Sequence, residues 1–311
     1  MKKITICGAT GFIGINLIKK FSKSYHVFAI YNKKKPFKFK NVSWVKADLR
    51  NYKDCLKVTG LSKILIQAAA TTSGSKDIIN SPFLHVTDNA VMNSYLLKAS
   101  YENKIEHFVF TSCTVMYHHS SKSLHENEVN EGKIFQNYFG VGHTKLYVEK
   151  MCKFYSEISN IKFSIIRHSN IYGPHDKFSL SKGHFIGSSI KKVFSKKNNE
   201  IQIFGQGNEK RDYLYVDDFL YFVELLIKKQ KKKYEIFNCT YGKSFKIIDV
   251  LNKIVKFSKL KKNIIKQEGK NINVNILVSS KKAKSKLSWY PKISINQGLK
   301  KTIAWYKNEV L

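Results

Sequence analysis

Three glycines, Gly8, Gly11 and Gly14, recur at every third position directly behind the apolar run Ile4-Thr5-Ile6-Cys7. Glycine at this spacing lets a backbone close up against a diphosphate, and the helix that follows turns its first N–H groups toward the negative charge. The stretch G-A-T-G-F-I-G at 8–14, with Phe12 and Ile13 inside it, therefore reads as a dinucleotide-binding turn. Such a motif is weak alone, and its place between a short N-terminal strand and a helix gives it weight. The run His26-Val27-Phe28-Ala29-Ile30 supplies the second strand of a βαβ unit.

The elements that must carry this turn follow from the apolar pattern. Beyond the first helix, over 15–20, the chain predicts a strand over 64–70, a helix over 88–101, a strand over 107–111, a helix over 145–159 and a strand over 163–167. Strands alternating with helices imply an α/β fold, a Rossmann doubly wound parallel sheet. Past Tyr172-Gly173-Pro174 the pattern becomes irregular. The expected division is a dinucleotide-binding domain over 1–170 and a smaller, mainly substrate-binding α/β domain over 171–311, some segments of which return to the sheet. With no linker or repeat between them, the two should share a cleft.

Composition narrows the partners. Of 311 residues, 55 are basic and 22 acidic, a formal net charge of +33. Only Arg50, Arg167 and Arg211 are arginines, whereas nucleic-acid readers favour arginine forks. The lysines are spread through every segment, so a solvated lysine surface is expected rather than a nucleic-acid site. RNA binding would instead require strong, salt-sensitive association. Five cysteines, Cys7, Cys55, Cys113, Cys152 and Cys239, form no C-x-x-C pair, which suits reduced cytoplasmic thiols and no metal site. No apolar stretch approaches a membrane span.

Seven ordered segments together resemble the extended short-chain dehydrogenase/reductase family, specifically its NAD(P)-dependent nucleotide-sugar epimerases, dehydratases and 4-keto reductases. They are G-A-T-G-F-I-G at 8–14, A-D-L at 47–49, Q-A-A-A at 67–70, T-S-C-T-V-M-Y at 111–117, G-H-T-K at 142–145, R-H-S-N-I-Y-G-P at 167–174 and R-D-Y-L-Y-V-D-D at 211–218. The resemblance spans nearly the whole chain. It implies that Gly8, Gly11, Phe12, Ile13 and Gly14 line the pyrophosphate, and that Asp48 and Leu49 contact adenine. Ala68, Ala69 and Ala70 would face the nicotinamide ribose, whose hydroxyls Lys145 would hold. It implies further that Arg211 grips the nucleotide diphosphate and Asn170 the sugar or diphosphate. The segment 170–184, N-I-Y-G-P-H-D-K-F-S-L-S-K-G-H, is similar to the GDP-sugar branch, in which the matching final histidine, here His184, is an acid. An imidazole titrating near neutrality suits that task. Family members commonly form a homodimer through the helix carrying Lys145 and the one before it, where Phe139 and Tyr147 could serve the interface or the core. Trp289-Tyr290-Pro291 resembles a structural ending.

The second strand closes on Tyr31-Asn32-Lys33-Lys34-Lys35. An NAD site usually places an acid there, and here none repels a 2′-phosphate, so NADP is favoured, with Asn32 and NAD as the alternative.

The resemblance breaks at its proton-transfer machinery, a Tyr-x-x-x-Lys on a helix with a Ser or Thr nearby. Lys145 is present, but Val141 stands four residues before it and Cys113 takes the Ser/Thr position. Another group, His184 first and then His143, Tyr138 or Cys113, would have to carry the proton. Otherwise the protein turns over slowly with a retained cofactor, or is a catalytically lapsed nucleotide-sugar or cofactor-binding protein. The expected activity is oxidoreduction, with or without epimerisation, at C4 of a nucleotide-activated sugar, GDP favoured, for bacterial surface polysaccharide.

Overall fold

Ile4 and Ile6 on the first strand, Ile66, Val109 and Ile166 on later ones, all enter one hydrophobic cluster, while their neighbours Leu65, Phe108, Phe110 and Ile165 enter another. A strand that buries both faces belongs in a sheet covered on two sides. The computed structural model describes residues 1–34, 36–72, 80–181, 183–196, 199–268 and 275–311. Its strands are β1 (Lys2–Cys7), β2 (Tyr25–Tyr31), β3 (Val42–Lys46), β4 (Ile64–Gln67), β5 (His107–Cys113), β6 (Lys162–His168), β7 (Asn170–Tyr172), β8 (Glu200–Phe204), β9 (Lys210–Tyr215), β10 (Tyr234–Cys239), β11 (Ser244–Lys246) and β12 (Asn263–Gln267). The helices are α1 (Phe12–Phe21), α2 (Tyr52–Thr59), α3 (Thr87–Glu102), α4 (Phe139–Glu157), α5 (Phe185–Val193), α6 (Val216–Lys229), α7 (Ile247–Ser258), α8 (Lys281–Leu287) and α9 (Ile295–Glu309).

Seven parallel strands make the main sheet, in the order β10-β6-β5-β4-β1-β2-β3. Leu17, Ile18 and Phe21 of α1 and Phe219, Phe222 and Val223 of α6 cover one face. Cys55 and Val58 of α2, Met92, Leu96 and Leu97 of α3, and Val148 and Cys152 of α4 cover the other. Winding outward from β1 in both directions leaves a crevice at the carboxyl ends of β1 and β4, where this topology binds ligands.

The α/β doubly wound expectation holds, and β10, from beyond residue 171, joins the sheet beside β6. Two small sheets, β11-β9-β7 and β12-β8, lie in the C-terminal half. Trp289 is fully buried there, its Nε1 donating to the Asp218 carbonyl at 3.0 Å. The stretch 275–279 runs back along 120–124, with Leu124 N–H donating to the Leu277 carbonyl and Ser279 N–H to the Leu124 carbonyl.

The structure departs from the pattern reading at several elements: α1 starts at Phe12 rather than at 15, β4 ends at Gln67 rather than at 70, and α2 carried no signal. The edge strand β3 was not signalled, since its residues are half-buried and show no clean alternation. Helix α4 starts at Phe139, not at Lys145. Gly140 and Gly142 lower helix propensity, yet close packing requires them. A Cβ on Gly140 would meet Val86 Cγ2 at 2.9 Å, and one on Gly142 would meet Ile134 Cγ2 at 3.1 Å.

Candidate active site

The glycine turn is built by contact between strand tips. Gly8 has φ +72°, and a Cβ there would lie 2.7 Å from the Ala69 backbone at the end of β4. A Cβ on Gly14 would lie 2.7 Å from Ala9 Cα and closer still to the Gly8 carbonyl. Helix α1 opens after Gly11 with no side-chain cap and no acid in its first turn. Its leading N–H groups, beginning at Phe12 and Ile13, are therefore left for an anion. These residues fit the pyrophosphate of a dinucleotide.

At the next strand ends, Asp48 faces Arg50, with Nη2 2.7 Å and Nε 3.0 Å from its two oxygens. Arg50 also reaches Asp88 at 3.3 Å. Hydrogen bonding from Arg50, assisted by Asn32, holds the Asp48 carboxyl down to about 2. Asn32, Asp48 and the buried Leu49 thus gather where the adenosine half would lie. Nothing in its spacing marked Arg50 as the organiser of this corner. Lys33 and Lys34 are exposed beside it, and Lys35 lies outside the described residues. Ala68, Ala69 and Ala70 follow β4, with Ala69 N–H held by the Gln67 side chain at 3.1 Å.

Lys145 and Cys113, expected at the reacting half, meet at the ends of β5 and β6. Lys145 Nζ donates to the Thr111 carbonyl at 2.9 Å and sits 4.7 Å from the centroid of the Phe110 ring. Burial lowers its affinity for a proton, and the neighbouring Cys113 and Glu149 oppose that shift. Burial likewise raises the Cys113 thiol, against the pull of Lys145, so Cys113 is a neutral thiol rather than a thiolate. Val141, one turn before Lys145, is half-buried and brings no proton-carrying group.

Beyond this centre a cavity is lined by Thr114, Tyr138, Asn170, Arg211, Asp212 and Thr240, among others. It brings Asn170 and Arg211 together with Tyr138, which precedes α4 instead of sharing its face. Asn170 Nδ2 donates to the Asp212 carbonyl at 2.9 Å. The Asp212 carboxylate accepts the N–H groups of Tyr241 and Gly242, and burial still pushes it up to about 6.

His184 is not among the residues lining that cavity. It caps α5 half exposed, its Nδ1 3.3 Å from Oδ1 of the buried Asp176. Its charge is felt at His168, the last residue of β6, which lies in register with Cys113 and also feels Lys145. Sequence reasoning passed over His168, because a histidine inside an apolar strand carries no spacing signal. His143 packs on Phe139, ring centroids 4.3 Å apart, with its buried Nε2 unpartnered among the described residues. Also among the described residues, no cluster of His, Cys, Asp and Glu is arranged to hold a metal, and no helix is long and apolar enough to cross a membrane.

A Rossmann sheet with a glycine-turn cradle and a lysine over its centre defines a dinucleotide-dependent enzyme class. Residues 4–240 match the NAD dependent epimerase/dehydratase family, and the chain belongs to it. It is 24% identical to GDP-L-colitose synthase of Yersinia pseudotuberculosis over 99% of this chain and 98% of that one. It is 22% identical to GDP-L-fucose synthase of Sinorhizobium fredii over 99% and 96%. Among solved structures, UDP-glucose 4-epimerase of Thermotoga maritima, crystallised with UDP-glucose, superimposes with a TM-score of 0.88 at 22% identity, over 99% of this chain and all of that one.

Proposed function

We propose that the protein is an NAD(P)-dependent oxidoreductase, with or without epimerisation, acting at C4 of a nucleotide-activated sugar. A GDP-sugar is favoured, in a cytoplasmic route to bacterial surface polysaccharide. The observation that carries this reading is that the Gly8–Gly14 turn follows β1 while Lys145 bonds the Thr111 carbonyl at the end of β5, two strands away in the same parallel sheet, with Asn170 and Arg211 sharing one cavity. A nicotinamide supplies and receives the hydride. Lys145 holds the nicotinamide ribose, Arg211 grips the diphosphate as a guanidinium fork, and Asn170 braces the pocket wall. Lys33 and Lys34, with no acid among the residues that close β2, favour NADP over NAD. His184, within 3.3 Å of the Asp176 carboxylate, serves as a proton group for the sugar in this reading. The exposed Phe139 and Tyr147 on α4 support a homodimer through α3 and α4.

Absorbance of reduced nicotinamide tests the reading. Protein loaded with NAD or NADP and offered GDP-, UDP-, dTDP- and CDP-sugars should gain or lose that band with one of them. His184→Ala should then slow turnover at least about tenfold. Val141 favours a second reading, a lapsed binding protein, which predicts saturable cofactor and nucleotide-sugar binding with no absorbance change.

A further inference from the structure

Oxidising a sugar hydroxyl releases a proton as well as a hydride, and position 141 offers nothing to take it. The groups gathered at the ends of β5 and β6 differ in their fitness. Lys145 is engaged with the Thr111 carbonyl. Cys113 is held as a neutral thiol. Tyr138 lies outside α4, its ring packed on Phe135 with centroids 5.8 Å apart. His168 remains. Its Nδ1 lies 2.8 Å from the Ser169 carbonyl, and a carbonyl only accepts, so Nδ1 carries the hydrogen and Nε2 carries the lone pair. The ring is braced edge-on by Phe219 of α6, centroids 5.7 Å apart. Nε2 has no hydrogen-bond partner among the described residues, and the side chain is half-buried at the strand end in register with Cys113.

We propose that Nε2 of His168 accepts the hydroxyl proton during hydride transfer, in place of the tyrosine that position 141 lacks. The inference rests on the oxidoreductase reading above. In the step, the sugar C–H bond gives its hydride to the oxidised nicotinamide, the O–H bond gives its proton to Nε2, and the C–O bond becomes a carbonyl. The sugar is oxidised and the nicotinamide reduced, and the reverse step returns the hydride and the proton. His184 is thereby left for proton exchange at a sugar carbon.

The titratable groups around the ring are Lys145 from α4, Cys113 from β5 and Cys239 from β10, both in register with it, and His184 ahead of α5, while α6 brings the Phe219 ring. Burial first, then the charges of Lys145 and His184, push His168 down to about 4, against the Ser169 hydrogen bond. Its imidazole is therefore neutral at physiological pH, with the Nε2 lone pair unprotonated.

The test uses the full chain, its nicotinamide and the nucleotide sugar that moves the absorbance band. His168→Gln should lower turnover by about 10²- to 10⁴-fold with cofactor affinity kept, and Val141→Tyr in that background should restore at least a tenth of it. Nitrogen-15 NMR of the unliganded wild type should show a proton on Nδ1 and a lone pair on Nε2, a readout that needs no folded variant. A proton on Nε2 in the neutral ring, or undiminished turnover in His168→Gln, overturns the assignment. Loss of turnover in Tyr138→Phe alone gives the role to Tyr138 instead. A wild type silent with every nucleotide sugar overturns the oxidoreductase reading itself, whereas an active wild type matched by His168→Gln overturns only the role of His168.

Discussion

Nη2 of Arg167 lies 2.6 Å from Oε2 of Glu149, and both side chains are almost wholly buried. Glu149 stands one turn beyond Lys145 on α4 and also accepts the Ser112 hydroxyl at 2.6 Å. Arg167 donates in addition to the Tyr117 hydroxyl and the Glu126 carbonyl. The pair thus ties α4 to β5 and β6 one residue from Cys113 and from His168. Removing one partner strands the other charge in a dry interior, so Glu149→Ala should cost about 3–5 kcal/mol of stability. Urea unfolding followed by circular dichroism gives the value, and a loss below about 1 kcal/mol would mean that water reaches Arg167.

Gly14 touches the Gly8 backbone so closely that no methyl group fits without moving the turn. Gly14→Ala should weaken dinucleotide binding at least about tenfold and cost about 1–3 kcal/mol through overpacking. Quenching of protein fluorescence by NAD and NADP reads the first effect and a thermal melt the second. Undisturbed affinity for both would remove the turn from the cofactor site.

His107 is buried on β5, its Nε2 2.6 Å from the Ser164 hydroxyl, and burial together with the Lys162 charge pushes it down to about 4. A histidine whose folded value is depressed contributes stability above its unfolded value, about 6.5, that is lost as pH falls through 4. The melting temperature should therefore fall between about pH 6.5 and 4. His107→Gln should flatten that slope, whatever its effect on stability at neutral pH.

Phe139 and Phe154 are 52% and 49% exposed on α4. Tyr95 and Tyr101 of α3 and Tyr147 of α4 are also exposed. An exposed apolar patch of this kind marks a covered face. The wild type should run as a dimer in light scattering after size exclusion, and Phe139→Glu with Phe154→Glu should yield a folded monomer. A monomeric wild type would remove the dimer from the proposal.

The sheet was largely legible, because a parallel strand buried on both faces writes a continuous apolar run and a glycine turn must follow the first of them. Asp48, Lys145, Asn170 and Arg211 were picked out only through the resemblance of their segments to the family, since no periodicity marks them. The start of α4 was hidden, since local propensity at Gly140 and Gly142 argues against a helix and only the approach of Val86 and Ile134 explains the glycines. Strand β3 was hidden because an edge strand is wetted and loses its alternation.

The sequence by itself determined the class of fold, the glycine turn behind the first strand and the absence of a tyrosine at position 141, all properties of short windows of chain. The tertiary structure alone decided that His168 stands beside Cys113, that Arg50 holds Asp48 and that Glu149 meets Arg167. It also decided that Tyr138 faces the Arg211 cavity while His184 stands apart from its lining. These are meetings across 2 to 73 residues of chain. Side-chain direction at a strand end and burial of a charge follow from packing against distant segments, which no local pattern records.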